Sequence, residues 1–574
     1  MGVREPAGAL TRKGEDKIRE RSFRRSLGGG LGRLAAAATI ILTTSMLSVN
    51  AFDQDAAACL LDYFGLNTPW PRRLWAVGTV LSLHEVLEGS EAVQSGVLSP
   101  KAFENLCQAA EMTMGKDPGA GTREEKRLLQ ESLRSCPRPG STDFLVIRQL
   151  LAQIEESYLN RWIQALSGEP TSASLLSPER VAQAIATHLM DLGFSETYLH
   201  PWWTFRIFYE PEARSLVDCI GDAVDLIRQT PRGFEILVPF LNAPGMHPDA
   251  PPHWLDPTSV SGWLRENNFD PRGLRQTGGL LLPVKARDVY AAVEQVSEII
   301  DRLSARVNLG SRSLLQTALE VWIRGFPKPY LLHRIERGVE VRALLRENQM
   351  YTASPTSNID AALELLGTLN EAPPGPAVAS GWAALEALLL GPGDSRNRGI
   401  AGERLASLIA CSYPRAELTI LAHSHIQKSS DSLAEQLRAA PTNRSRVGVL
   451  AQALAAGKSL NLSSQTDRLA QSRMKILLAG NKAFLRDLEQ QATRTLRRMY
   501  RQRNLVLHWG RMNAVCLRAA LRTAAPLIGA GIDRIAHAWF ASKTNPLELA
   551  ARARIRLELL DTPAAAPVHE LLDP

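Results

Sequence analysis

The sequence predicts a mainly α protein, and three observations carry that expectation. Apolar residues recur at three- and four-residue spacing over most of the chain, strand-like runs are confined to two short stretches, and no period of 20 to 50 residues repeats. At 574 residues the chain exceeds what one hydrophobic core usually organises, so about two to four domains are expected. Apolar residues at 45%, charged residues at 22% and a mean hydropathy of −0.12 exclude a mostly disordered chain, a collagen-like repeat and a polytopic membrane protein. Six cysteines lie far apart without a C-x-x-C pair, which argues against a zinc ribbon or a disulfide scaffold and for reduced core residues.

Residues 1–51 form a basic leader. Arg24-Arg25 precede a glycine-rich stretch, an apolar run spans 34–47, and the small residues Val49 and Ala51 follow at cleavage spacing, a pattern that resembles an export signal. Three threonines and a serine dilute the run, which is too short for a comfortable transmembrane helix. The expectation is therefore a cytoplasmic protein whose leader is a packed N-terminal helix or an overextended start; the alternative is export or membrane attachment through residues 1–51. Gly28-Gly29-Gly30-Leu31-Gly32 lacks the preceding strand and the Lys-Ser/Thr of a phosphate loop.

Residues 52–347 read as one or two mostly helical domains, with helical periodicity clearest at 74–87 and 181–192 and short strands at 234–241 and 279–284. Breakers fall at 116–122, 136–141 and the proline-rich 242–262. The aromatic run His200-Pro201-Trp202-Trp203-Thr204-Phe205-Arg206-Ile207-Phe208-Tyr209 suits core packing better than base stacking. His247, Asp249, His253 and Asp256 have ligand chemistry without metal-site spacing, so no metal and no cofactor is expected.

Punctuation at 353–359 and 371–376 opens a helical bundle over 359–541. Its expected helices cover 361–369, 381–390, 401–409, 416–437, 446–455, 466–509 with a break near Gly480, and 513–541. The alanine- and proline-containing 562–574 reads as a flexible tail.

The net charge of +7 is unevenly placed. Between Gln490 and Ile532 the chain carries eight arginines and no Asp or Glu, which predicts a local positive field suited to phosphate. Leu485, Leu488, Ala492, Leu496, Met499, Arg503 and Val506 share one helical stripe, in which the arginine is the single charge and calls for an anion or a wet interface. Arg494, Arg497, Arg498 and Arg501 line the opposite face, a candidate RNA track, joined toward its end by His508. Asn504 lies one turn before His508, and Gly510 is a helix stop.

The string Arg503-Asn504-(three residues)-His508 resembles the signature of HEPN ribonuclease domains, specifically the Apea-like group of bacterial anti-phage defence proteins. Upstream, Trp382-Ala383-Ala384-Leu385-Glu386-Ala387-Leu388 resembles the helix that opens that bundle, and Glu403-Arg404-Leu405-Ala406 its next helix. The resemblance covers about a third of the chain and departs from the family in a lengthened middle, 407–481. It implies a HEPN-type endoribonuclease, or toxin, that cuts RNA without a metal by 2′-hydroxyl attack. Arg503, Asn504 and His508 would form the catalytic set, and a homodimer pairing through the C-terminal bundle would complete the site. Residues 52–347 would then sense a trigger or receive an antitoxin. A histidine such as His508 is the side-chain type suited to moving protons at neutral pH, and a forked guanidinium such as Arg503 stabilises a phosphorane. The alternatives are a non-catalytic HEPN-like scaffold for dimerisation or RNA binding, and an exported or membrane-attached helical binding protein.

Overall fold

The computed structural model describes residues 51–168, 176–209, 214–243, 251–332, 336–353, 357–394, 398–480 and 482–573. The leader up to Asn50, with its glycine-rich stretch, lies outside the described residues, as do His247 and Asp249. No described helix is long and apolar enough to cross a membrane.

Helices begin where short polar side chains can satisfy their unpaired amides. The first body comprises α1 (Ala51–Phe64), α2 (Thr79–Gln94), α3 (Pro100–Gly115), α4 (Arg123–Arg134), α5 (Thr142–Ser167), α6 (Pro178–Asp191), α7 (Glu196–Phe208) and α8 (Leu216–Arg228). Ser99, Ser141, Ser177 and Ser195 each accept from an amide three residues on. Thr122 with Glu125 and Ser215 with Asp218 form reciprocal capping boxes. These helices close around Tyr158, Trp162 and Trp203. Trp203 is thus core, whereas Phe205 and Tyr209 stack on each other at 6.5 Å on the surface.

A six-stranded antiparallel sheet follows, built from β1 (Arg232–Asn242), β2 (Trp254–Leu255), β3 (Gly279–Ala286), β4 (Gln316–Thr317), β5 (Glu320–Ile323) and β6 (Tyr330–Leu331). Its order is β2-β3-β1-β5-β6, with β4 also on β1. Helix α9 (Pro257–Glu266) covers one face and α10 (Val289–Ser311) the other. Phe234, Ile236, Val238 and Phe240 pack under α10, while the intervening Leu237 meets Trp263 of α9, so β1 is apolar on both sides. Asp256 caps α9, accepting from the Ser259 amide at 2.8 Å, which gives this acid of the proline-rich loop a structural task.

After the short α11 (Ala343–Arg346), the C-terminal body contains α12 (Asn358–Glu371), α13 (Pro374–Leu389), α14 (Ile400–Lys428), α15 (Ser432–Ala439), α16 (Asn443–Ala455), α17 (Gln465–Leu478), α18 (Ala483–Trp509), α19 (Leu517–Ser542) and α20 (Pro546–Glu558). The break expected near Gly480 separates α17 from α18. Two expected helices, 401–409 and 416–437, are instead one helix to Lys428 that runs through Pro414, followed by α15. A mid-helix proline removes one amide donor, but residues on both sides of it, from Leu405 to Ala422, are buried in one continuous core. The 562–574 segment also differs from the flexible tail expected: Val568, Leu571 and Leu572 are buried, and Asp573 receives Arg415 at 2.9 Å and Arg444 at 3.0 Å. Trp75, Ala92 and Leu98 from the first body enter the C-terminal core, so the division between 52–347 and 359–541 is packed across.

Candidate active site

Helix α18 carries the site, and the bundle holds it on several sides. Leu485, Leu488, Ala492, Leu496, Met499 and Val506 of its apolar stripe are buried. Trp382 of α13 packs its ring 4.8 Å from Tyr500 and donates Nε1–H to Glu386 at 3.0 Å. Gly381 leaves room for Met499, whose methyl would lie 2.6 Å from any added Cβ. Glu403 of α14 pairs with Arg497 at 2.7 Å. The helix ends at Gly510, whose φ of 69° is the left-handed conformation that a C′ glycine supplies without steric cost.

The exposed end of α18 brings Arg503, Asn504 and His508 together. Arg503 Nη1 donates to Asn504 Oδ1 at 3.0 Å and lies 3.2 Å from His508 Nε2. Because a guanidinium only donates, Nε2 is the acceptor in this contact. No carboxylate is within ion-pair distance of Arg503 among the described residues. Leu507, Met512 and Val515 beside the trio are exposed apolar side chains, and Arg511 stacks over Trp509 at 3.7 Å.

The four arginines predicted to track RNA do not form one exposed row. Arg498 and Arg501 are buried and both hold Glu85 of α2: Arg498 Nε donates at 2.8 Å, Arg501 Nε at 3.1 Å and Arg501 Nη2 at 2.9 Å. Their assignment to RNA is therefore corrected, since both guanidiniums are spent on an internal carboxylate. Burial opposes ionisation of Glu85, but Arg501 and Arg498 outweigh it and hold its carboxyl below the ordinary glutamate range. Arg497 is half-buried on Glu403, and Arg494, also half-buried, donates Nε–H to the Gln490 carbonyl at 3.2 Å.

Most of the positive island is neutralised from elsewhere in the chain. Arg511 meets Glu88 and Glu91, Arg518 meets Glu298, and Arg522 meets Asp191. Among the described residues only Arg494 and Arg503 of the eight lack a carboxylate partner. Glu85 is the residue that the sequence reading missed. Its signal was an acid set between the apolar Leu83 and Val86 of a helix, where an unpaired charge would be costly. Compared with known proteins, the chain matches no family model, no curated protein and no solved structure.

Proposed function

We propose that this chain is a metal-independent endoribonuclease of the HEPN type, working as a homodimer through its C-terminal bundle. The observation that carries the reading is the exposed contact between Arg503 and His508, with Asn504 bonded to the same guanidinium and no carboxylate within ion-pair distance among the described residues. A phosphodiester entering there would draw the Arg503 donors to its oxygens and release the imidazole nitrogen to take the 2′-hydroxyl proton. The 2′-oxygen then bonds to phosphorus, the bond from phosphorus to the 5′-oxygen breaks, and the departing oxygen takes a proton. The products are a 2′,3′-cyclic phosphate and a 5′-hydroxyl. One motif per chain supplies half of such a site, and the exposed Leu507, Met512 and Val515 next to it give a second copy an apolar surface to meet. Cytoplasmic placement and a role in bacterial anti-phage or stress defence follow from the family resemblance alone, with residues 52–347 as the sensing or antitoxin-binding part.

The burial of Arg498 and Arg501 favours a second reading, a non-catalytic scaffold, because it halves the charge predicted for RNA. Incubation with total RNA in EDTA separates the two. Cyclic phosphate ends that disappear in His508→Ala, with folding and dimerisation intact, are the expected result; equal cutting by that variant defeats the catalytic reading. RNA retained without cutting favours the scaffold, and DNA cut as readily as RNA contradicts 2′-hydroxyl attack.

A further inference from the structure

Far from the Arg503 end, about 13 Å back along the helix axis, Arg494 and Arg498 face a cavity of about 220 Å³ between α18 and the first body. Lys116 at the end of α3 and Arg180 on α6 line it as well. Lys116, Arg180 and Arg494 have no carboxylate within ion-pair distance among the described residues, while Arg498 shares Glu85 with Arg501. The lining carboxylate, Asp117, is already occupied by the Thr79 hydroxyl, by Tyr158 Oη–H at 2.8 Å and by the Gly119 amide at 2.8 Å. Burial also raises its pKa above the ordinary aspartate value, which weakens its claim on the cations. Trp162 is fully buried in the wall and packs with Tyr158 against Gly119. Three cations with no carboxylate at ion-pair distance among the described residues line one space, an arrangement that selects acceptor oxygens and negative charge.

We propose that this cavity is a binding site for the phosphate group of a small phosphorylated compound, gripped by Arg494, Arg180 and Lys116. A single-charge carboxylate would leave more cationic charge unanswered than a dianionic phosphate monoester. The volume, about seven waters' worth, admits a sugar phosphate and excludes a folded or stacked oligonucleotide. Occupancy would tie α3, α5 and α6 to the helix that carries Arg503 and His508. The inference is independent of the nuclease reading, since it concerns binding alone.

Isothermal titration of the full chain with inorganic phosphate and, separately, with ribose 5-phosphate tests it. Saturable binding with a rise in thermal midpoint is expected. Tighter binding of ribose 5-phosphate assigns an organic phosphate, and equal affinity assigns the free ion. Arg494→Gln should weaken binding by about tenfold or more. Lys116→Gln, at an exposed position where folding is not at stake, should weaken it by a smaller factor. Absence of saturable binding in the wild type, or affinity unchanged in both variants, overturns the proposal.

Discussion

Replacing Glu85 with glutamine removes the one carboxylate that two buried guanidiniums share. Glu85 is 2% exposed and accepts three N–H bonds, at 2.8 Å from Arg498 and at 3.1 and 2.9 Å from Arg501. Hydrogen bonds to charged groups contribute about 1.5–3 kcal/mol each, but a glutamine carbonyl in the place of Oε1 retains the two from Arg501 and loses the one from Arg498. Removal of one partner from a buried ion pair costs about 3–5 kcal/mol, because the remaining charge stays out of water. The Glu85→Gln loss should lie in that range, a large fraction of the roughly 5–15 kcal/mol that stabilises a native protein. With a urea slope of at least about 3 kcal/mol per molar for a chain of this size, the tryptophan-fluorescence midpoint at neutral pH falls by up to about 1–1.7 M. Replacing Glu85, Arg498 and Arg501 together with Met, Met and Leu should recover most of the loss, since apolar packing removes the desolvation cost. The Glu85 carboxyl is held below its unfolded value, so its contribution is present above about pH 4.3 and is lost as pH falls through the folded value. The wild-type advantage should therefore shrink only in acid. A midpoint drop under about 0.5 M, or a triple variant no more stable than Glu85→Gln, refutes the argument.

Three further outcomes can be checked. His188 is stacked on Tyr158 at 4.4 Å, and burial lowers its pKa to about 4. Its neutral form is therefore favoured by folding above the unfolded value near 6.5, and up to about 3 kcal/mol is lost as pH falls toward 4. In His188→Phe that acid sensitivity should disappear, and an unchanged gap between the two proteins from pH 7 to 4.5 counts against it. Arg312 ends α10 in the left-handed conformation at φ 55° and is exposed, so Arg312→Gly should raise stability by about 0.5–1 kcal/mol in the same urea assay; a loss would contradict the strain. Arg503→Lys keeps the charge but not the fork, so RNA cutting should fall by about 10²- to 10³-fold with dimerisation unchanged, and full activity would exclude a forked phosphate contact.

The helical character of 359–541, the break near Gly480, the strands near 234–241 and 279–284 and the stop at Gly510 were legible because each depends on residues a few positions apart. So was the neighbourhood of Asn504 and His508, one turn apart, but not the contact of Arg503 with His508, since the stripe pattern set those two on opposite faces. The course of α14 was not: its proline suggested a break, and only burial along both flanks keeps the helix continuous. Nor was the docking of 562–574, which depends on Asp573 meeting arginines of α14, α16 and α19.

From the chain alone came a mainly α protein, its caps and turns, and an arginine-rich helix ending in Arg, Asn and His, since periodicity and capping are short-range effects. Which of those arginines is available to a ligand was decided by tertiary structure. The acid-free stretch finds its acids elsewhere: Glu85 lies 413 residues before Arg498, and Glu88 lies 423 before Arg511. Charge compensation acts through space over a few ångströms, so a field inferred from neighbours in sequence survives only where folding brings no opposite charge, here at Arg494 and Arg503.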